Sequence, residues 1–339
     1  MGGKAMAILN VYTERKTTSE HLRIQDELIP VITEMFNTEV ATVSFYRTKE
    51  THGDLDLLIL NTGDLGNIGE RLKARFGPVY CNGNVYSFEY QKYQVDIIPQ
   101  PTRNWETAKD FFSWDPTGNL MGKIAHKFGL KYGFEGLIFP FRTFSGRLTT
   151  DIVISKDSRK IFEFLGYDYD RYLKGFDTTE EIFEWIIEGK YFNVDNFQME
   201  NLNHIDRKRN AKRSTYQGFL EYAEKNNVQS KFTFLKNKEE YHDTIDSFFP
   251  EANFKTTLLK LQETDKRNQR VSEAINGDMI MEATGLKGQE LGKVITAFKE
   301  NVANNFKDGS YNDAIASFID SGLNPMEIFM DYYSIYKSL

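Results

Sequence analysis

The run Asp54-Leu-Asp-Leu-Leu-Ile-Leu60 restricts the possible folds more than any other stretch of the chain. Unbroken β-forming residues predict a strand inside a sheet. The period of two then puts Asp54 and Asp56 on one face and Leu55 and Leu57 on the other. Burying bare carboxylates is costly, so the pair demands either solvent or a cation. A hard ion such as Mg²⁺ takes all-oxygen donors of this kind. An ordinary antiparallel strand with acids at its solvent-facing end would show the same spacing, so neighbouring segments must decide.

Those neighbours predict a sheet. Ile24, Leu28, Ile32, Met35 and Phe36 recur at helical spacing over residues 19–36, with Pro30 as a kink or fresh start. Residues 40–45 are rich in β-formers and lead into a polar loop at 47–53. After the turn signal Asn61-Thr-Gly-Asp comes a predicted helix at 68–76, then a hairpin of strands at 85–90 and 93–98. This order predicts an α+β sheet domain over residues 1–100. Residues 101–200 are mainly helical in texture, with a Gly-rich aromatic stretch at 129–144 able to hold short strands. Residues 201–339 are expected to be helical, with helices at 207–225, 290–306 and 311–321 following one at 179–189.

Composition removes several classes of function. Among 339 residues, 42 Lys+Arg against 49 Asp+Glu leave a net charge of -7, so the chain does not coat nucleic acid by bulk charge. Any nucleic-acid site must be a local basic patch. A 14% aromatic content excludes wholesale disorder. Cys81 is the sole cysteine, which excludes an intramolecular disulfide or a Cys-based zinc site. The five histidines show no metal-pair spacing, and Trp105, Trp114 and Trp185 are expected in the core. No run approaches the roughly 18 apolar residues of a membrane span, and the N-terminus lacks a signal-peptide core. With Met6 where a myristoylation motif wants Ser or Thr, a cytoplasmic location without membrane attachment is expected.

Asp96, in Val95-Asp96-Ile-Ile-Pro99, is another acid on an apolar strand, and a neighbouring position would bring it beside the first pair. Three acids on two strands suit two Mg²⁺ ions, with Mn²⁺ as a substitute. In such a scheme Asp54 and Asp56 hold both ions, while Asp96 serves the ion at the attacking hydroxyl and helps remove its proton.

The preceding loop makes a resemblance specific. Ser44-Phe-Tyr-Arg-Thr-Lys-Glu-Thr-His-Gly-Asp-Leu-Asp56 resembles the Gly-Ser-Phe-Arg-Arg-Gly...Gly-Asp-x-Asp signature of the DNA polymerase beta-like nucleotidyltransferase superfamily, especially its family X polymerases. Trp105 and Asp110-Phe-Phe112, and more weakly residues 119–129 and 161–166, are similar to the segments that follow the third acid there. The resemblance implies a palm-like catalytic domain at 1–100 and a connecting, thumb-like region at 101–200. It implies that Asp54, Asp56 and Asp96 are metal ligands, and that Ser44, Arg47 and Gly53 contact a nucleoside triphosphate. Val43, Tyr46 and Thr48 replace two glycines and an arginine of that signature, which leaves room for a catalytically silent nucleic-acid-binding module. With about forty residues ahead of Ser44, the helical lyase domain of the family X repair enzymes, and lyase-dependent repair with it, is not expected.

Asp206-Arg-Lys-Arg-Asn-Ala-Lys-Arg213 is the densest basic segment. On a continuous helix Arg209 and Arg213 share a face, as do Lys208 and Lys212, so that with Arg207 they form a stripe able to meet phosphates. A solvated helix face would have the same composition. Lys123, Lys127 and Lys131 form a second stripe at i, i+4 and i+8. Further on, residues 275–293, Ile-Asn-Gly-Asp-Met-Ile-Met-Glu-Ala-Thr-Gly-Leu-Lys-Gly-Gln-Glu-Leu-Gly-Lys, resemble a segment of the helical body of tRNA nucleotidyltransferases, the CCA-adding enzymes, and their poly(A) polymerase relatives. Residues 201–339 are thereby expected to be a helical nucleic-acid-binding region. The two resemblances together imply transfer of a nucleoside monophosphate to a nucleic-acid 3′ hydroxyl, with a tRNA-like RNA end favoured over DNA. A bacteriophage with its own tRNA processing would suit such a hybrid. The alternatives are a family X-like DNA polymerase or terminal transferase, the silent module, or an oligonucleotide or second-messenger synthase.

Overall fold

Strand β1 (Lys16–Thr17) leads directly into α1 (Thr18–Phe36), whose start is fixed by a capping box between Thr17 and Glu20. Pro30 lies inside this helix without ending it. After β2 (Val40–Thr42) and β3 (Thr51–His52), the acid-bearing run forms β4 (Asp54–Asn61), followed by α2 (Ile68–Phe76), β5 (Val79–Asn82), β6 (Val85–Tyr90) and β7 (Tyr93–Pro101). The structure, a computed structural model, describes residues 4–306 and 309–338. Five strands form one sheet in the order β2-β4-β7-β6-β5, with β4 and β7 parallel and the other neighbouring pairs antiparallel. Being central, β4 and β7 are covered on both faces, which explains their near-continuous apolar runs.

One face carries Leu55, Leu57, Ile59, Tyr93, Val95 and Ile97, packed on Ile24, Leu28, Ile32 and Phe36 of α1 and Leu72 of α2. Each such burial is worth about 1.5–3 kcal/mol relative to exposure. On the other face, Leu58 and Ile98 are covered by Trp105 and Ala108 of α3 (Trp105–Phe112). This second cluster lies over the far half of the two strands and does not include the acids at their beginnings.

Then follow α4 (Thr117–Lys127), β8 (Lys131–Gly133), β9 (Gly136–Arg142) and β10 (Leu148–Ser155), the strands forming a separate sheet of order β10-β9-β8. Helices α5 (Ser158–Phe164), α6 (Tyr169–Lys174) and α7 (Thr179–Glu188) precede α8 (His204–Asn210) and α9 (Ser214–Lys225). The single helix expected over 207–225 is therefore two helices. Asn210 causes the interruption: fully buried, it accepts from Asn119 through its side chain (3.1 Å) and from Gln217 through its carbonyl (3.1 Å). Strand β5 is an addition to the expected elements, and the strand predicted at 40–45 stops at Thr42.

Residues up to Pro140 together with Asp151–Phe254 make one compact unit, and Phe141–Thr150 with Lys255 onward make another. The first also holds α10 (His242–Phe248). The second contains α11 (Phe254–Ala274), α12 (Gly277–Thr284), α13 (Gly288–Asn305), α14 (Tyr311–Asp320) and α15 (Pro325–Tyr336), built around Val271, Ile280, Val294, Phe298, Ile315 and Phe329. Gly285 at φ 75° ends α12 in the left-handed conformation that favours glycine. The fold is thus α+β, with a sheet domain followed by helices. No helix among the described residues is long and apolar enough to cross a membrane.

Candidate active site

Asp54 and Asp56, at the beginning of β4, line a cleft of about 1530 Å³ in the first unit. Strand pairing places Asp96 of β7 level with Asp56, and Ser87 of β6 level with Asp96 on its other side. Neighbouring residues in register share a face, so all three acids belong to the same side of the sheet. Their engagement differs. The Asp96 carboxylate accepts from Gln94 Nε2 at 3.0 and 3.1 Å and from the Ser87 side chain, and it is not part of the cleft wall. Among the described residues no group of three or more His, Cys, Asp or Glu side chains is arranged to hold a metal ion. Crowding of acids in a place poor in water has electrostatic consequences. Burial, then the Asp54 and Asp96 charges, push the Asp56 carboxyl well above the usual carboxylate range. Burial, with a smaller contribution from Asp54, lifts Asp96 to about 6 against its bonds to Ser87 and Gln94.

A second layer supports the beginning of β4 from the opposite face. Tyr93 donates its hydroxyl proton to the Asp54 carbonyl at 2.6 Å, and its oxygen lies 2.9 Å from His21 Nδ1. With the hydroxyl proton committed to Asp54, the imidazole must donate from Nδ1, and burial favours the neutral form of the ring. His21 stacks on His52 with ring centroids 3.9 Å apart, and Phe45 closes edge-on against both. Both histidines are buried, and loss of water lowers their pKa to about 4 for His21 and about 3 for His52.

Ser44 and Gly53 line the cleft, whereas Arg47 does not. Its guanidinium pairs with Asp177 at 2.5 Å and donates to the Lys174 carbonyl. Its backbone N–H donates to Phe176 and that of Thr48 to Asp177, so this part of the loop is fastened to the segment before α7. A cation that does act on the acids is Lys49, half-buried in the cleft wall. Burial lowers its pKa against the opposing attraction of Asp115, Asp54 and Asp56.

The basic segment divides in the same way. Arg209, Lys212 and Arg213 line the cleft that holds Asp54 and Asp56. Arg207 and Lys208 do not line it, and Arg207 donates to the carbonyls of Met199, Glu200 and Leu202. The interruption after Asn210 changes the faces that a continuous helix would have given these five residues. Lys123 pairs with Asp206 at 2.6 Å, and Thr215 donates to Asp115 at 3.0 Å, so both ends of the junction are tied to the α3–α4 region. Of the second lysine stripe, Lys123 and Lys131 reach the cleft and Lys127 does not.

Sequence reasoning did not single out Lys49, His21, His52 or Asp115. Lys49 and His52 lie inside the quoted loop motif, and a charged or titratable residue so close to an acid pair is a usable signal. Asp115 and His21 carry no local signal, because only the fold brings them to the acids.

No protein-family model and no curated protein matches the chain. Among solved structures the chain is similar to two ternary complexes of Leishmania infantum polymerase beta, one described as a P/T complex and one as a gap complex. The first match has 18% identity over 39% of this chain and 61% of the other, with a TM-score of 0.33. The second has 18% identity over 38% and 52%, with a TM-score of 0.31. The chain thus spans less than two thirds of either polymerase chain.

Proposed function

We propose that the protein is a divalent-metal-dependent nucleotidyltransferase that moves a nucleoside monophosphate from a nucleoside triphosphate to a nucleic-acid 3′ hydroxyl. The observation that carries this reading is that Asp54 and Asp56 share one cleft with Arg209, Lys212 and Arg213, which lie far away in sequence. Carboxylates suited to a hard cation and free-standing cations suited to phosphate are both required around a phosphoryl group in transfer.

The donor set fits the metal. Mg²⁺ commonly takes one or two protein carboxylates and completes its shell with phosphate oxygens and water, so a preformed cage of three acids is not needed. Asp54 and Asp56 would hold it, or Mn²⁺ in its place, and a bound divalent pair would supply Lewis-acid stabilisation of charge on the transferring group. Asp96, level with Asp56, is the third acid of the proposed site. With its carboxylate bonded to Gln94 and Ser87 behind the cleft wall, it would serve the acceptor hydroxyl and help remove its proton once the ions are bound. Ser44 and Gly53 lie in the cleft wall, and in this reading they would border a nucleotide there. The acceptor proposed is an RNA 3′ end, tRNA-like, on the resemblance of residues 275–293.

The test is incubation with each labelled nucleoside triphosphate and deoxynucleoside triphosphate, Mg²⁺ or Mn²⁺, and a panel of tRNA, single-stranded RNA, gapped DNA or no acceptor. Transfer is expected with tRNA, falling by about 10³-fold or more in the Asp54→Asn/Asp56→Asn variant as several kcal/mol of charge stabilisation are lost. Undiminished transfer by that variant would sink the metal assignment, and extension of gapped DNA alone would replace RNA by DNA as acceptor.

A further inference from the structure

We propose that the junction between α8 and α9 binds the terminal phosphates of the nucleoside triphosphate, an inference that rests on the transfer reading above and names the partner of one part of that site. The residue expected for this role, Arg47, is committed elsewhere through Asp177 and the Lys174 carbonyl. Within the cleft of Asp54 and Asp56, Lys123 is neutralised by Asp206. Arg209, Lys212 and Arg213 also line the cleft, and among the described residues none of their side chains is in an ion pair or hydrogen bond. Three unpaired cations within five residues make a compact positive site.

The site is held in place without a ligand. Asn210, between Arg209 and the next two cations, is fixed by Asn119 and Gln217, while Lys123–Asp206 anchors α8 and Thr215–Asp115 anchors α9. Cations on a prefixed backbone lose less freedom on binding than cations on a mobile loop. Ser214 and Thr215 open α9 and also line the cleft. That helix has no side-chain cap and no acid of its own in its first turn, where the Asp115 carboxylate accepts from Thr215, so its positive end adds to the charge of the three side chains after that acid is met.

Compactness selects the ligand. A triphosphate concentrates its charge on three adjacent phosphorus atoms, whereas a nucleic-acid strand spaces one phosphate per nucleotide and is met by a longer basic track. Three cations beside one helix end, in the cleft that holds the carboxylates, match the first distribution. Arginine and lysine also divide the work in a familiar chemical way, as planar forks and a point charge.

Calorimetric titration with Mg²⁺ and inorganic tripolyphosphate, a nucleoside triphosphate, the matching monophosphate, and a short single-stranded RNA without nucleotide tests the assignment. Wild type should bind the triphosphate and tripolyphosphate well and the monophosphate much more weakly. In the Arg209→Gln/Lys212→Gln/Arg213→Gln variant, triphosphate affinity should fall about 1000-fold, roughly tenfold for each of three charge-assisted contacts, and the advantage over monophosphate should collapse. RNA affinity should change little, and Lys225→Gln, at the other end of α9, should behave as wild type. Wild type that fails to bind tripolyphosphate overturns the proposal, as does a variant that keeps triphosphate affinity or loses RNA affinity instead. Should the triple variant not fold, Lys212→Gln and Arg213→Gln singly are held to the same ratio of triphosphate to monophosphate affinity. Binding that behaves as expected without any transfer by wild type would remove the transferase reading and leave this phosphate site standing.

Discussion

At the scale of single residues, the beginning of β4 is controlled by groups that touch its backbone. Tyr93 reaches across the sheet to the Asp54 carbonyl, and His21 orients Tyr93, so the position of the first carboxylate depends on α1 and β7 as well as on its own strand. Tyr93→Phe keeps the ring that fills the core and removes both bonds. Supporting bonds of this kind commonly set metal affinity within a factor of 10–100. Manganese binding followed by electron paramagnetic resonance should weaken about tenfold in Tyr93→Phe, with the near-ultraviolet circular dichroism retained; unchanged affinity would remove Tyr93 as a positioning residue. The alternation that puts Asp54 and Asp56 on one face was legible from the sequence because it follows from strand period alone. The contrast between Arg47 and Lys49 was not legible. They are two residues apart in a loop with no fixed period, and the partner that turns Arg47 away, Asp177, lies on a segment much later in the chain.

Elements raise a different question, because the buried histidine pair joins α1 to β3 and titrates with the fold. His21 and His52 accept protons below about pH 6.5 when unfolded, but only near 4 and 3 in the native protein. The unfolded state therefore binds more protons across that window, and this pair withdraws stability as pH falls from about 6.5 toward 4. Asp96 acts with the opposite sign: its native carboxyl takes a proton near pH 6 and its unfolded one near 3.8, so acidification through that range favours the fold. A comparison isolates the histidines. His21→Phe/His52→Phe preserves two stacked rings and removes their titration, while Asp96 stays common to both proteins. Urea unfolding at pH 7 and pH 5 should show a larger acid loss in wild type than in this double variant; equal losses would mean that the pair is not held neutral. The elements themselves were largely legible where an apolar period ran uninterrupted, as in α1, β4, α2 and the β6–β7 hairpin. The interruption between α8 and α9 was not, since no Gly or Pro marks residues 211–213 and its cause is the burial of Asn210 against α4.

For the whole molecule, the net charge of -7 and the cleft cations act on different distances. At physiological salt, exposed charges more than about 8 Å apart are largely screened, so the general acidity of the surface governs non-specific encounters while the cleft governs a bound phosphate. Counterion release makes the distinction measurable. Each phosphate neutralised on a single strand contributes about -0.7 to the slope of log K against log salt, so engagement of Arg209, Lys212 and Arg213 by an acceptor would give about -2. Since those cations are assigned to the triphosphate, RNA binding without nucleotide should have a slope shallower than that value. Fluorescence anisotropy of a labelled single-stranded RNA between 50 and 200 mM salt reads it directly. A slope of about -2 or steeper would put acceptor phosphates on these cations or on a longer basic track and would contradict the division of labour in the cleft. A shallow slope together with strong salt dependence of triphosphate binding would locate the electrostatic selectivity of the molecule in the junction between α8 and α9.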